Sequence, residues 1–363
     1  MKNMKIRQVI ALICSVLAVI GLAIFITRSG YVDAQQPIPE ACSSVAIDPE
    51  VPPVEDASEY EPQPEYDFEH KETSDVEAEP IAEEIPVPMP EPAYLTAMNG
   101  ALGWLHESNP SPRVGSVGGE WSVLATARAG LGDAVWFGQY LEALDLALAG
   151  EGGRVERMTD YARVTLALTA LGLDASIYNG RDLTAALHTF VPHEDRPPYN
   201  RTINADIFAL IALDSRPYGG DREQYIAAIL TAEVPGGGWG LTGGVMPDIT
   251  AMAIAALAPY HDSSVEVRAA INRALELFGE RPMRDAEGNA QMIVALAALG
   301  RDAEIHLSAL LTFHDPETGA FMRNGEPNMM STEQAAYALV AYHRFATGQN
   351  RLYDMHDVFN DDG

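Results

Sequence analysis

The sequence predicts an all-α domain in which six similar helix pairs close into a ring. Three observations carry that expectation. Apolar, Ala-rich runs recur at a near-constant spacing, amphipathic segments alternate with them, and no stretch shows the every-second-residue alternation of a strand of any length.

The recurring runs are Val-Leu-Ala-Thr-Ala-Arg-Ala-Gly from Val123, Thr-Leu-Ala-Leu-Thr-Ala-Leu-Gly from Thr165 and Phe-Ala-Leu-Ile-Ala-Leu-Asp-Ser from Phe208. They continue as Met-Ala-Ile-Ala-Ala-Leu-Ala-Pro from Met252, Ile-Val-Ala-Leu-Ala-Ala-Leu-Gly from Ile293 and Ala-Tyr-Ala-Leu-Val-Ala-Tyr-His from Ala336. Successive starts lie 42, 43, 44, 41 and 43 residues apart. Runs that are apolar nearly all round belong to buried helices, and Ala lets neighbouring helices approach closely. The segments 94–107, 135–148, 181–190, 222–232, 265–278 and 303–313 carry one apolar face and predict outer helices. One such pair cannot hide its apolar side alone. Six that close on one another leave no end to cap.

What precedes the repeats is different. Lys2, Lys5 and Arg7 stand before a charge-free run from Gln8 to Ile26, long enough to cross a hydrocarbon core. Basic residues on that side hold the N-terminus in the cytoplasm. Residues 1–34 are therefore expected to be a signal-anchor or transmembrane segment. A cleaved signal peptide ending at Val32-Asp33-Ala34 is the competing reading, and would leave a secreted protein. The length of the run and the presence of Asp33 favour the anchor. Residues 35–92 are rich in Pro, Glu and Asp without an apolar period, as in Glu83-Glu84-Ile85-Pro86-Val87-Pro88, and predict a disordered, extended linker. The ring is expected over 93–357, with a tail at 358–363. Net charge is −29, which argues against a nucleic-acid partner. Cys14 and Cys42 are the two cysteines, and neither belongs to a disulfide framework or a zinc spacing.

Three motifs add a resemblance. They are Gly236-Gly237-Gly238-Trp239-Gly240 followed by Pro247-Asp248-Ile249-Thr250-Ala251-Met252-Ala253, then Val117-Gly118-Gly119-Glu120-Trp121, and the segment from Thr332-Glu333-Gln334 to Tyr342. Over residues 92–357 the chain resembles the α/α-toroid superfamily of terpenoid cyclases, protein prenyltransferase β subunits and transcobalamin-like carriers. It is most similar to bacterial surface proteins with prenyltransferase/squalene-oxidase-type repeats. The resemblance implies an (α/α)6 toroid and says little about activity, because one fold hosts many functions.

The resemblance also supplies chemistry to test. The Asp-x-Asp-Asp acid of class II cyclases corresponds to Val245-Met246-Pro247-Asp248-Ile249-Thr250, where a single aspartate stands without acidic neighbours. The Asp/Cys/His zinc site of prenyltransferases needs a thiolate, and the ring has no cysteine. Its histidines show no HExxH spacing, and there is no phosphate loop or Gly-x-Ser-x-Gly elbow. No catalytic residue, metal ligand or cofactor is therefore assigned.

Each inner helix nevertheless opens with a polar group in one register: Glu120, Asp160, Asn204, Asp248, Asn289, and Thr332 with Glu333. Such side chains cap helices. In a ring of parallel inner helices they also gather at one mouth, with Trp121, Tyr161 and Trp239 as flat apolar neighbours. The expectation is a non-catalytic, membrane-tethered binding module. Its candidate ligand-binding residues are Glu120, Trp121, Asp160, Tyr161, Asn204, Trp239, Asp248, Asn289 and Glu333, and its partner is a small ligand or a cell-surface or wall component. The alternative is a cyclase-like or glycoside-hydrolase-like enzyme using Asp248 and Glu120.

Overall fold

A computed structural model describes residues 92–150 and 155–359. The expected membrane segment and nearly all of the linker lie outside them. Among the described residues, no helix is long and apolar enough to cross a membrane.

Twelve α-helices are described, in six outer–inner pairs. The outer helices are α1 (Ala93–Ser108), α3 (Ala134–Leu148), α5 (Ala185–His188), α7 (Arg222–Thr231), α9 (Val265–Phe278) and α11 (Glu304–Leu311). The inner helices are α2 (Glu120–Arg128), α4 (Met158–Ala170), α6 (Ile203–Asp214), α8 (Pro247–Leu257), α10 (Ala286–Ala298) and α12 (Met329–Ala346). Each inner helix packs on the next, in the order α2, α4, α6, α8, α10 and α12, and α12 packs back on α2. The ring is closed, and the first outer helix, α1, lies against the last inner one.

The inner helices bury nearly every side chain, as their all-round apolar runs require. In α10, every residue from Gly288 to Ala297 is buried. Outer helices bury a single stripe, for example Val267, Ala270, Ile271 and Ala274 in α9. Neighbouring inner helices run parallel. Side chains tie starts to starts, as Ser331 on α12 donates to Glu287 on α10, and ends to ends, as Arg344 on α12 donates to the Arg128 carbonyl at the end of α2. The ring therefore has an N-terminal mouth, where inner helices begin, and a C-terminal mouth, where they end.

Two expectations need correction. The third outer helix, expected over 181–190, is one turn long. Pro192, Pro197 and Pro198 follow it and remove donors a longer helix would need. Residues 193–200 form two short 3₁₀ turns instead, gathered by buried charges: Arg196 donates to Asp206 and to the Val191 and Asn200 carbonyls, and His193 also bonds Asp206. The structure also holds a two-residue antiparallel pair, β1 (Met322–Arg323) and β2 (Glu326–Pro327). Its turn is Asn324-Gly325, with φ of 55° and 82°, the left-handed pair a tight hairpin uses.

Packing also continues past the expected limit at residue 357. The Arg216 guanidinium sits 3.9 Å over the ring of Phe359, the last described residue.

Candidate functional site

The ring's axis is filled. Trp121 on α2 lies 5.3 Å from Phe208 on α6 and 5.7 Å from Tyr337 on α12, centroid to centroid. Since α4 separates α2 from α6, the Trp121–Phe208 contact spans the interior. Gln291 on α10 donates to Gln334 at 2.9 Å and to the Tyr337 hydroxyl, which joins the remaining wall to this plug.

At the N-terminal mouth, the expected polar residues divide by what holds them. Glu120 is 1% exposed. Its carboxylate accepts from the Gly115 N–H at 3.1 Å, the Tyr140 hydroxyl at 3.4 Å and the Arg163 guanidinium at 3.1 Å. Glu333, equally buried, accepts from the Gly118 N–H at 2.9 Å and the Ser122 hydroxyl at 2.5 Å, while its other oxygen has no partner. Both acids thus pin the connection between α1 and α2. That connection turns on Gly119, where an added Cβ would stand 2.2 Å from the Gly115 carbonyl oxygen.

Burial pushes Glu120 up to about 7 against the pull of Arg163. Burial likewise pushes Glu333 up to about 7, outweighing its hydrogen bonds, and the charge of Glu120 adds to the rise. One guanidinium faces Glu120 and Asp160 together, so the local charge is negative when all are ionised.

Asp160 behaves as a cap. One oxygen accepts from the Arg157 N–H at 3.0 Å and the other from Arg163 at 2.8 Å. Asn289 is fully buried. It exchanges bonds with the Met283 backbone and donates to the Asp285 carbonyl, holding the entry to α10. Trp239 has no exposed surface. Its indole N–H donates to the Ile229 carbonyl at 2.7 Å, and its backbone N–H donates to Thr250. The Gly-rich turn before it runs at φ of 97°, 108° and 79° through Gly236, Gly237 and Gly238, and lets that indole fold beneath α7. Trp239 therefore ties α7 to α8 and offers a ligand no surface. Trp121 and Tyr161 are half-buried, as is Asn204, whose side-chain oxygen is buried without a partner.

Asp248, at the second position of α8, is the expected residue that lines open space. It borders a groove of about 670 Å³ between the starts of α8, α10 and α12. The groove's apolar wall is Met246, Leu277, Phe278, Met283 and Met330, and its polar wall includes Arg281, Arg284 and Arg323. Glu287 is engaged by Ser331 and, at 3.6 Å, by Arg323, and Asp285 caps the Gly288 N–H. Among the described residues, the side chains of Arg281 and Arg284 have no hydrogen-bonded or ionic partner. These arginines escaped the sequence reading. The signal was Arg-Pro-Met-Arg, two cations just before an inner helix of a strongly acidic chain.

The C-terminal mouth is closed by residues 350–357, whose role the sequence reading also missed. Arg128, 4% exposed, donates to the carbonyls of Leu352, Arg351 and Asp354 at 2.9–3.0 Å and to the Asp357 carboxylate at 2.9 Å. Arg344 holds the Asn350 carbonyl and Asp357. The Met355 N–H donates to Ser215 at 2.9 Å, fastening the strap across the ring to the end of α6.

No group of three or more His, Cys, Asp or Glu side chains able to hold a metal occurs among the described residues. No family model matches the chain, and no curated protein matches it. Among solved structures, the chain is similar to two of the type II terpene cyclase MstE from Scytonema. One is an Asp-to-Asn variant in complex with geranylgeranyl dihydroxybenzoate as substrate, and the other is an unliganded Tyr-to-Phe variant. Each shows 13% identity and a TM-score of 0.47 over 70% of this chain, and over 98% and 97% of the cyclase chains respectively.

Proposed function

We propose that the ring is the non-catalytic binding head of a membrane-tethered, extracytoplasmic protein, and that it takes an acidic peptide segment of a cell-surface partner in the N-terminal groove. The observation that supports this reading is the pair Arg281 and Arg284, unpartnered among the described residues and facing an apolar wall, in a chain of net charge −29. Guanidinium groups bind carboxylates through paired hydrogen bonds. Asp248 remains free to accept a peptide N–H. Methionines at 246, 283 and 330 suit irregular apolar side chains. The charge-free run from Gln8 to Ile26 would supply the anchor, and the Pro- and Glu-rich stretch behind it would act as a spacer.

The enzyme reading meets a geometric obstacle. Asp248 on α8 and Glu120 on α2 stand on helices three places apart in a ring of six, and so on opposite sides. Glu120 is also closed in by Gly115, Tyr140 and Arg163. An acid–base pair needs both carboxyls on one substrate.

The test is a fluorescence-anisotropy titration of the full chain with a labelled peptide alternating Glu and Leu. Binding is expected to weaken steeply with salt, to fall at least about tenfold in Arg281→Gln/Arg284→Gln, and to be absent for the matching Lys-Leu peptide. Equal binding of both peptides, or none of the acidic one, would overturn the proposal.

A further inference from the structure

We infer that the cavity beneath the C-terminal strap is a second binding site, which takes a compact carboxylic acid with an apolar body. The cavity measures about 280 Å³ and lies between the ends of α6, α8, α10 and α12. Alanines at 255, 256, 297, 298 and 341 line it together with Ile211 and Val294, so its walls are backbone-close and apolar. The strap residues Arg351, Leu352, Tyr353, Asp354 and His356 form the facing wall.

The polar groups on this wall are unequal. Asp214 is engaged by Arg222 at 2.6 Å and by the Tyr260 hydroxyl at 2.8 Å. Asp354 accepts from the His356 ring at 2.8 Å. Both oxygens of Asp214 and Oδ1 of Asp354 are thus occupied, while Oδ2 of Asp354, on a side chain 42% exposed, makes no hydrogen bond among the described residues. The remaining free capacity on the wall is donor capacity. Among the described residues, neither the Tyr353 hydroxyl nor the Arg351 guanidinium makes a hydrogen bond, although Arg351 feels the exposed carboxylate of Asp262. A phenol and a guanidinium beside an apolar chamber call for a ligand with an acceptor at one end and hydrocarbon at the other.

Size narrows the class. A dry apolar cavity of about 150 Å³ holds benzene. A chamber nearly twice as large therefore takes on the order of ten heavy atoms. Arg128 holds the strap wall of the chamber in place through the carbonyls of Arg351, Leu352 and Asp354. This site stands apart from the N-terminal groove and does not depend on the reading of that groove.

The experiment is isothermal titration of the full chain with octanoate and with octanol. Both are expected to bind, octanoate the more tightly. Arg351→Gln should weaken octanoate about tenfold while leaving octanol within about twofold. Ala298→Leu, which adds bulk inside the chamber at a half-buried position, should abolish both, as should Ala256→Phe. The inference is overturned by failure of both probes to bind, by binding that survives Ala298→Leu in a folded protein, or by an Arg351→Gln effect of equal size on octanol.

Discussion

The two mouths of this ring are built from the same repeat, yet they are finished in opposite ways. At the C-terminal mouth, two buried arginines, Arg128 and Arg344, converge on one strap and spend their donors on its carbonyls and on Asp357. At the N-terminal mouth, Arg281 and Arg284 sit on a groove without a partner among the described residues, while the buried acids Glu120 and Glu333 turn away to hold a loop. Cations that are fully bonded hold structure together, and cations left unbonded are available to a partner. The same contrast separates Arg128 from Arg351 within the C-terminal mouth itself.

The comparison can be broken from its strongest side. Arg128→Ala leaves three strap carbonyls without their donor and Asp357 with Arg344 alone. Removing one partner from a buried charged network costs about 3–5 kcal/mol. Urea denaturation followed by tryptophan fluorescence should show a loss of that size, and a loss below about 1 kcal/mol would mean the strap is not held as described.

A pH series tests the buried acids. Their folded values lie at about 7, above the ordinary 4.5. The folded state therefore holds more protons than the unfolded one between those values, and stability falls as pH rises through that window. The contribution is fully present below pH 4.5 and lost above 7, with a ceiling on the order of 3 kcal/mol for each carboxyl. Denaturation at pH 5 and pH 8 should show the fall, and Glu333→Gln should flatten roughly half of it. A domain that gains stability across this range would contradict the assignment.

Smaller effects sharpen the picture. Trp239→Phe keeps most of the ring's bulk but removes the donor to the Ile229 carbonyl, and should cost on the order of 1–3 kcal/mol by chemical denaturation. Arg281→Gln/Arg284→Gln should change stability by less than about 0.5 kcal/mol, since neither side chain is bonded, while removing acidic-peptide binding.

Much of the fold was legible in the sequence because buried, Ala-rich helices advertise themselves at a fixed spacing. All six inner helices lie where those runs place them. The third outer helix was misread because an amphipathic pattern outweighed Pro192, Pro197 and Pro198. The Asn324-Gly325 hairpin was missed because its strands are two residues long. The register of polar groups at the inner-helix starts was legible, but the direction each side chain takes was not. Glu120 and Glu333 fold into a loop through Gly115 and Gly118, contacts no local pattern encodes. Residues 350–357 have no period at all. Their one visible trace is Arg128, a charge inside an apolar run that must find partners somewhere.

Hydrogen exchange on the full chain, with and without the acidic Glu-Leu peptide, tests the division between the mouths most directly. The account predicts new protection confined to residues 277–288 and 323–334, with residues 350–357 equally slow in both states. Protection that falls on 350–357 instead, or that spreads evenly around the ring, would contradict it.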